Sequence, residues 1–500
     1  MAGPRRRLRA ALDAFPAALA RLGVVDREKG TAAFDLATPA MVTGGLRTLL
    51  RSADFLFVSV ATGGAAVGAL ELGFQYYFVA FGISLGLTSG TISVVSRFEG
   101  ADDPVRRDLA VSVSLWLALA VALPLTAVAW LFAPDLIGVL TDDPRTVADG
   151  ATYLRIVMLG AAPRFWTMIA ARALAGAGDT RTPMYVRLLT LPTNLVLNAL
   201  LVFGLGPFPR LEIAGAAWAT TIATSLAAVV FLAVLLSGRW GVRLRPGAPH
   251  FDWQIARELV RVGAPLTATR LARTFGRFPF LFVLGVLGPA VLGAYAIGRR
   301  VMLLAIMPAW GYSTAASTLV GQAVGGGDGD EAADYGWQTL RIGLATQLLV
   351  AVAIVVAARP LADLFATDYP GQVVAFVRVF ALGVAGFSVA RTMRGALRGA
   401  GDTRWPLYGT VLGTYAVRLP LAALALPVGV AVTAGPLALP LGLGTLGPLA
   451  VSPGAGLGLL GVYAAIVGDM YVRATVNLAR FASGAWRAYG LPSSTETDRI

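Results

Sequence analysis

Leu174-Ala-Gly-Ala-Gly-Asp179-Thr-Arg-Thr-Pro183-Met-Tyr185 recurs as Leu397-Arg-Gly-Ala-Gly-Asp402-Thr-Arg-Trp-Pro406-Leu-Tyr408, an offset of 402 − 179 = 223 residues. Arg155 and Arg378 share that offset. Upstream, Gly100 to Asp103 match Gly325 to Asp328 at 328 − 103 = 225. Downstream, Ser237-Gly-Arg-Trp240 returns as Ser483-Gly-Ala-Trp486 at 486 − 240 = 246. The surplus of 246 − 223 = 23 residues is a Gly/Pro-rich insertion between Leu426 and Gly456. A unit repeated once at near-constant spacing is the mark of a chain built from two homologous halves.

Each half is too apolar to be soluble. Of 500 residues, 56% are hydrophobic and 14% charged, against about 25% charged in soluble domains. Apolar runs long enough to cross about 30 Å of hydrocarbon recur along nearly the whole length. Twelve are expected, at roughly 34–60, 67–96, 109–133, 151–174, 183–204, 213–237, 257–287, 291–322, 337–358, 371–395, 405–427 and 456–482. Turn chemistry punctuates them, as at Asp102-Asp103-Pro104, Asp142-Asp143-Pro144, Gly206-Pro207 and Gly288-Pro289. The fold expected is an all-α integral membrane protein of twelve transmembrane helices. Six spans per half is an even number, so both halves keep one orientation. The two six-helix bundles are then related by a pseudo-twofold axis along the membrane normal and face each other across a cleft.

The absence of cysteine and the single histidine, His250, exclude disulfides, thiolate metal sites and His-cluster sites. The formal charge of +13 reads as arginine-rich loops on one membrane face rather than as a nucleic-acid surface. Arginines gather in the N-terminal stretch, at Arg97, Arg106 and Arg107, at Arg172 and Arg181, at Arg239, Arg243 and Arg245, at Arg394, Arg398 and Arg404, and at Arg480 and Arg487. These fall on alternate connections and place both termini in the cytoplasm of a multi-pass protein of the cell membrane. The organisation expected is a cytoplasmic tail over 1–33, an N-terminal lobe over 34–240, a cytoplasmic linker over 241–256, a C-terminal lobe over 257–486 and a cytoplasmic tail over 487–500. The insertion at 427–455 is expected outside the cell or as a short outer helix.

The Gly-Ala-Gly-Asp-Thr-Arg-x-Pro element after the fourth span of each half resembles the multidrug and toxic compound extrusion (MATE) family. So do Val320-Gly-Gln-Ala-Val-Gly325 with Asp328, Gly215-Ala-Ala-Trp-Ala-Thr220, and the end from Arg480-Phe481 to Trp486. The resemblance runs from about 34 to 487. It implies two helical lobes, alternating access, and export of amphipathic organic compounds driven by proton or sodium entry. No cofactor beyond the coupling ion is implied. The expected partners are the small-molecule substrate and membrane lipids, with no nucleic acid, and the chain is expected to act as a monomer.

Asp54 is the leading candidate for coupling. An acid within the first span is costly unless it faces protein or water, and it matches the first-helix aspartate that the family uses for cations. The competing role is a salt bridge to Arg51, three residues earlier on the same helix face. Arg47 and Arg51 recur as Arg273 and Arg277, each 226 residues later, whereas the position equivalent to Asp54 is Phe280. Symmetry assigns the arginines to the scaffold or cleft of both lobes, and asymmetry assigns the acid to something done once. Asn194 and Asn198 share a face of the fifth span. The resemblance implies that they and Thr220 complete an oxygen-rich site with Asp54, suited to a hard cation such as sodium. Family members often carry an acid where Asn198 stands, so this chain keeps a single formal charge there. Interhelical hydrogen bonding is the competing role for the asparagines. Glu71 and Gln75 lie near the outer end of the second span. Asp469 and Arg473, four apart in the last span, are expected to pair. Arg418 has no acid near it in sequence and either snorkels or lines the C-terminal cleft.

Two other function classes are open to such a sequence. A flippase for a lipid-linked saccharide or anionic lipid would use the arginines at 47, 51, 273, 277 and 418. An enzyme would need convergent catalytic groups, and none is visible. The Gly-x-Gly-Asp strings ending at Asp179 and Asp402 resemble an intramembrane protease motif, but each stands at a helix end before Thr-Arg-x-Pro, where a C-cap explains it.

Overall fold

The structure is a computed structural model. It describes residues 14–489 apart from 63, 140, 142, 246, 248–249, 366–367, 430–431, 435–436, 439–444, 447–448 and 452–453. Side chains at 47–72, 74–75, 78–80 and 83, and those of the strands in the insertion, lie outside the description.

The chain is helical almost throughout. The first lobe runs α1 (Arg27–Thr62), α2 (Gly64–Gly100), α3 (Pro104–Gly138), α4 (Pro144–Leu159), α5 (Ala161–Gly176), α6 (Arg181–Phe203) and α7 (Glu212–Ser237). The second runs α8 (Trp253–Phe275), α9 (Arg277–Val286), α10 (Pro289–Ala305), α11 (Met307–Gly325), α12 (Gly329–Val356), α13 (Ala358–Asp363) and α14 (Pro370–Gly399). It closes with α15 (Arg404–Val411), a π-helical turn (Leu412–Arg418), α16 (Leu419–Leu424) and α17 (Gly458–Ala482). Among the described residues seven helices are long and apolar enough to cross a bilayer, and two more spans are bent pairs: α4 with α5, by 45°, and α10 with α11, by 43°. With α1, α2 and the pair α8–α9 these make twelve spans, six per lobe.

Starts and stops follow local chemistry. Pro104 and Pro144 open helices at positions whose N–H has no intrahelical partner, behind the caps Asp103 and Asp143. The repeated Gly-Ala-Gly-Asp element ends a span identically in both lobes. Gly178 and Gly401 take φ of +92° and +88°, which a side chain would resist. The N–H of Asp179 then donates to Leu174 O, and that of Asp402 to Leu397 O, both at 2.8 Å.

The pseudo-twofold is visible in the packing. Helix α1 of the first lobe lies on α11 of the second, and α8 of the second lies on α2 of the first. The axis passes between α2 and α11, whose ends cross so closely that a Cβ on Gly100 would fall on the carbonyl of Gln322. A Cβ on Gly325 would likewise fall on the carbonyl of Arg97. The offsets are 325 − 100 = 225 and 322 − 97 = 225.

Three features depart from the sequence reading. The insertion holds two antiparallel strand pairs, β1 (Val432–Ala434) with β4 (Leu449–Val451) and β2 (Leu437–Ala438) with β3 (Thr445–Leu446), rather than an outer helix. Gly and Pro disfavour a helix there, and Val and Thr suit short strands. Residues 14–21 form a helix whose Phe15 packs on Phe34 at 5.8 Å. Beyond it the Asp26 N–H donates to Gln338 Oε1 and Lys29 pairs with Asp334, so this segment is tied to the second lobe. Finally, Arg97, Arg172 and Arg398 do not sit on exposed loops. Arg97 is fully buried and pairs with Glu258 at 2.8 Å. Arg172 donates to Thr314 Oγ1 and Arg398 to Ser317 Oγ.

Candidate functional site

Two groups of polar side chains lie where helices of the lobes converge. The first is on α6. Asn194 and Asn198 are both buried, and the Asn198 Nδ2 donates to Asn194 Oδ1 at 3.0 Å and to its carbonyl at 3.1 Å. Helices α1, α6 and α7 pack on one another, so the elements bearing Asp54, the asparagines and Thr220 meet. Thr220 is half-buried. Its neighbour Thr221 is the residue that ties α7 to α4, donating to Ile156 O at 3.0 Å. The side chains of Asp54, Arg47, Arg51, Glu71 and Gln75 lie outside the described residues, so their expected pairings do too; Asp54 itself is in α1 and Glu71 in α2.

The second group is in the C-terminal lobe. Asp469 and Arg473 pair at 2.7 Å, as their spacing predicts. Arg418 joins them, with its guanidinium 4.0 Å from the Asp469 carboxylate, 3.3 Å from the Tyr295 hydroxyl to which it donates, and 3.9 Å from the centre of the Phe280 ring. Phe280, standing where symmetry would put an acid, is fully buried. The π-helical turn brings these groups together: Pro420 lacks the N–H that would continue the α ladder, and such turns gather at functional positions. It leaves Thr414 Oγ1 accepting from Arg473 at 2.8 Å.

Sequence reasoning missed Arg391, whose guanidinium lies 3.5 Å from the centre of the Trp310 ring. It also placed Arg394 and Arg398 on a loop, although both are within α14. The spacing of 391, 394 and 398 was the available signal, because i, i+3, i+7 is one helical face.

The arginine-rich end, bearing Gly100, Gly178, Gly325 and Gly401, is closed. Thr318 donates to Ala175 O at 2.7 Å and Gln322 to Gly176 O at 3.1 Å, both across the seam between the lobes. The Arg97–Glu258 pair spans the same seam.

The MatE family model matches residues 39–200 and 265–424, one segment in each lobe. The chain belongs to the MatE family. It is a multi-pass membrane transporter rather than an enzyme. A probable multidrug resistance protein NorM of Thermotoga maritima is 29% identical over 455 residues, covering 90% of this chain and 92% of that one. An FAD transporter of Shewanella oneidensis is 26% identical, covering 70% and 77%. A solved outward-facing multidrug resistance MATE family transporter superposes with a TM-score of 0.79 at 21% identity, covering 91% and 97%; at that identity the likeness is one of fold.

Proposed function

We propose that the chain is a secondary active antiporter that exports amphipathic organic compounds from the cytoplasm, driven by proton or sodium entry through alternating access. The observation that carries this is the closed seam at the arginine-rich end. Two pseudosymmetric lobes meet there through glycine-on-carbonyl crossings and one buried ion pair, contacts that two packed bodies can make or release as units. The positive-inside rule makes that end cytoplasmic, so this conformation is closed toward the cytoplasm. The names carried by the relatives, multidrug resistance protein and FAD transporter, support export of small molecules over flipping of a lipid-linked saccharide.

Asp54 on α1 is the proposed coupling group, with Asn194, Asn198 and Thr220 supplying oxygens from the two helices packed on α1. Coupling requires the ion and the exported compound to favour opposite states of the lobes, and it cannot exceed the ion's difference in affinity between them. The test is dye efflux from vesicles under separately imposed proton and sodium gradients. Wild-type protein should respond to one gradient. Asp54→Asn, which keeps size and one hydrogen-bonding oxygen but no titratable charge, should bind dye and lose gradient-driven efflux. Intact efflux in that variant would remove Asp54 from the mechanism.

A further inference from the structure

Helix α8 continues into α9 with Arg270, Arg273 and Arg277, and α14 carries Arg391, Arg394 and Arg398. Each trio has i, i+3, i+7 spacing, which gathers its members on one side of its helix. Helix α14 packs on α17, α8 packs on α15, and the π-helical turn after α15 packs on α17, so both trios lie on elements that adjoin the helix bearing Asp469 and Arg473. Arg394 feels the positive charge of Arg273 and Arg270 as well as of Arg398 and Arg473. Arg273 feels that of Arg473, Arg270 and Arg418. Among the described residues the carboxylate of Asp469 acts on Arg273, and that acid is already held by Arg473 at 2.7 Å.

Elsewhere deeply placed arginines are given a partner: Arg97 has Glu258, Arg480 has Asp402, and Arg172 has the hydroxyl of Thr314. Here, among the described residues, Arg273 and Arg394 have no ion pair. The Nε atoms of Arg391, Arg418 and Arg473 are buried without an acceptor. Unpaired cationic groups at membrane depth are costly. With Arg273 and Arg394 unpaired and the single carboxylate of Asp469 shared by Arg418 and Arg473, the described residues of this lobe leave the cluster short of negative charge. Its walls are aromatic: Phe280 under Arg418 and Trp310 under Arg391, with Tyr295 alongside. Guanidinium forks match carboxylate and phosphate oxygens in pairs.

We propose that this cluster is a binding site for the anionic group, carboxylate or phosphate, of an amphipathic compound whose apolar body lies against the aromatic residues. It assigns a charge class to the substrate of the proposed exporter and rests on that reading. The same chemistry could come from an exported solute or from a lipid headgroup.

The test uses the full chain in nanodiscs of purely zwitterionic lipid, with binding followed by fluorescence polarisation. The probes are carboxyfluorescein, an anion, and ethidium, a cation. Carboxyfluorescein should bind. Arg273→Gln with Arg394→Gln should raise its Kd at least tenfold, and the double lysine variant, which keeps both charges, should recover most of the loss. Ethidium binding should not weaken in either variant. Size-exclusion and thermal profiles verify that each variant is folded, and the lysine pair keeps the comparison usable if the glutamine pair is not. Loss of dye binding when phosphatidylglycerol is added to the disc would assign the site to a headgroup, and retained binding would assign it to a solute; either keeps the anion site. Ethidium binding without carboxyfluorescein binding, or a Kd within twofold in the glutamine pair, would overturn it. Binding needs no gradient, so failure of efflux under every gradient would count against the exporter reading alone.

Discussion

At the scale of the residue, the repeated aspartates show how one motif is put to two uses. Asp179 accepts from the N–H groups of Arg181 and Thr182, both at 2.9 Å, and so starts the next helix. Asp402 is fully buried and accepts from Arg480 Nε at 2.6 Å. Burial pushes the Asp402 carboxyl up, and the hydrogen bond from Arg480 opposes that. Arg480→Gln leaves the acid buried without its cation, at a cost of about 3 kcal/mol. A carboxyl raised in the folded state loses stability as pH climbs above its unfolded value near 4. The variant's melting temperature should therefore fall further below wild type at pH 7.5 than at pH 5, and an equal deficit at both would show that Asp402 does not change protonation between them. The asparagines were legible from sequence because spacing alone puts 194 and 198 on one face. The buried arginines were not, because a rule that counts arginines along a chain carries no depth. Arg97 finds Glu258 from 161 residues away, a distance no local pattern spans.

At the scale of the element, function concentrates where helices are broken or crossed. The caps and the helix-opening prolines follow from residues readable in order, whereas the spans expected unbroken at 151–174 and 291–322 are bent at Gly160 and Ile306. The π-helical turn at Leu412–Arg418 and the strand pairs of the insertion do not follow in that way, since both depend on what packs beside them. The α2–α11 crossing gives the clearest test at this scale. Gly100→Val would place a branched side chain against the backbone of Gln322, which cannot yield while the lobes are closed at that end. Glu258→Gln would leave Arg97 buried and uncompensated. Both should bias the lobes apart at the arginine-rich end without unfolding either one. Cysteines introduced on α2 and α11 near that end should crosslink more slowly in each variant than in the parent; unchanged crosslinking would mean that the crossing does not hold the lobes. For the insertion, a cysteine at the exposed Ala455 should react with an impermeant maleimide from outside the cell, whereas reaction only after permeabilisation would reverse the topology.

At the scale of the whole molecule, the 223–226 residue offset seen in sequence becomes a physical axis, and the breaks in symmetry mark what each lobe does alone. The first lobe carries Asp54 and the buried asparagines, and the second carries Phe280 at the equivalent place with arginines around it. An ion site and an anion-holding cleft on opposite sides of one axis would let the two ligands favour opposite arrangements of the same two bodies. Alternating access requires these bodies to rock about the α2–α11 crossing. Spin labels at the exposed positions Val105 and Arg404, one on each lobe at the arginine-rich end, measure this most directly by pulsed dipolar distance spectroscopy. A short distance should dominate in the conformation described here, with a second population, longer by about 10 Å or more, growing when the coupling ion or exported compound is changed. Domain closures of this kind are two-state. A single distance, unmoved by pH, sodium or substrate, would contradict alternating access in this chain.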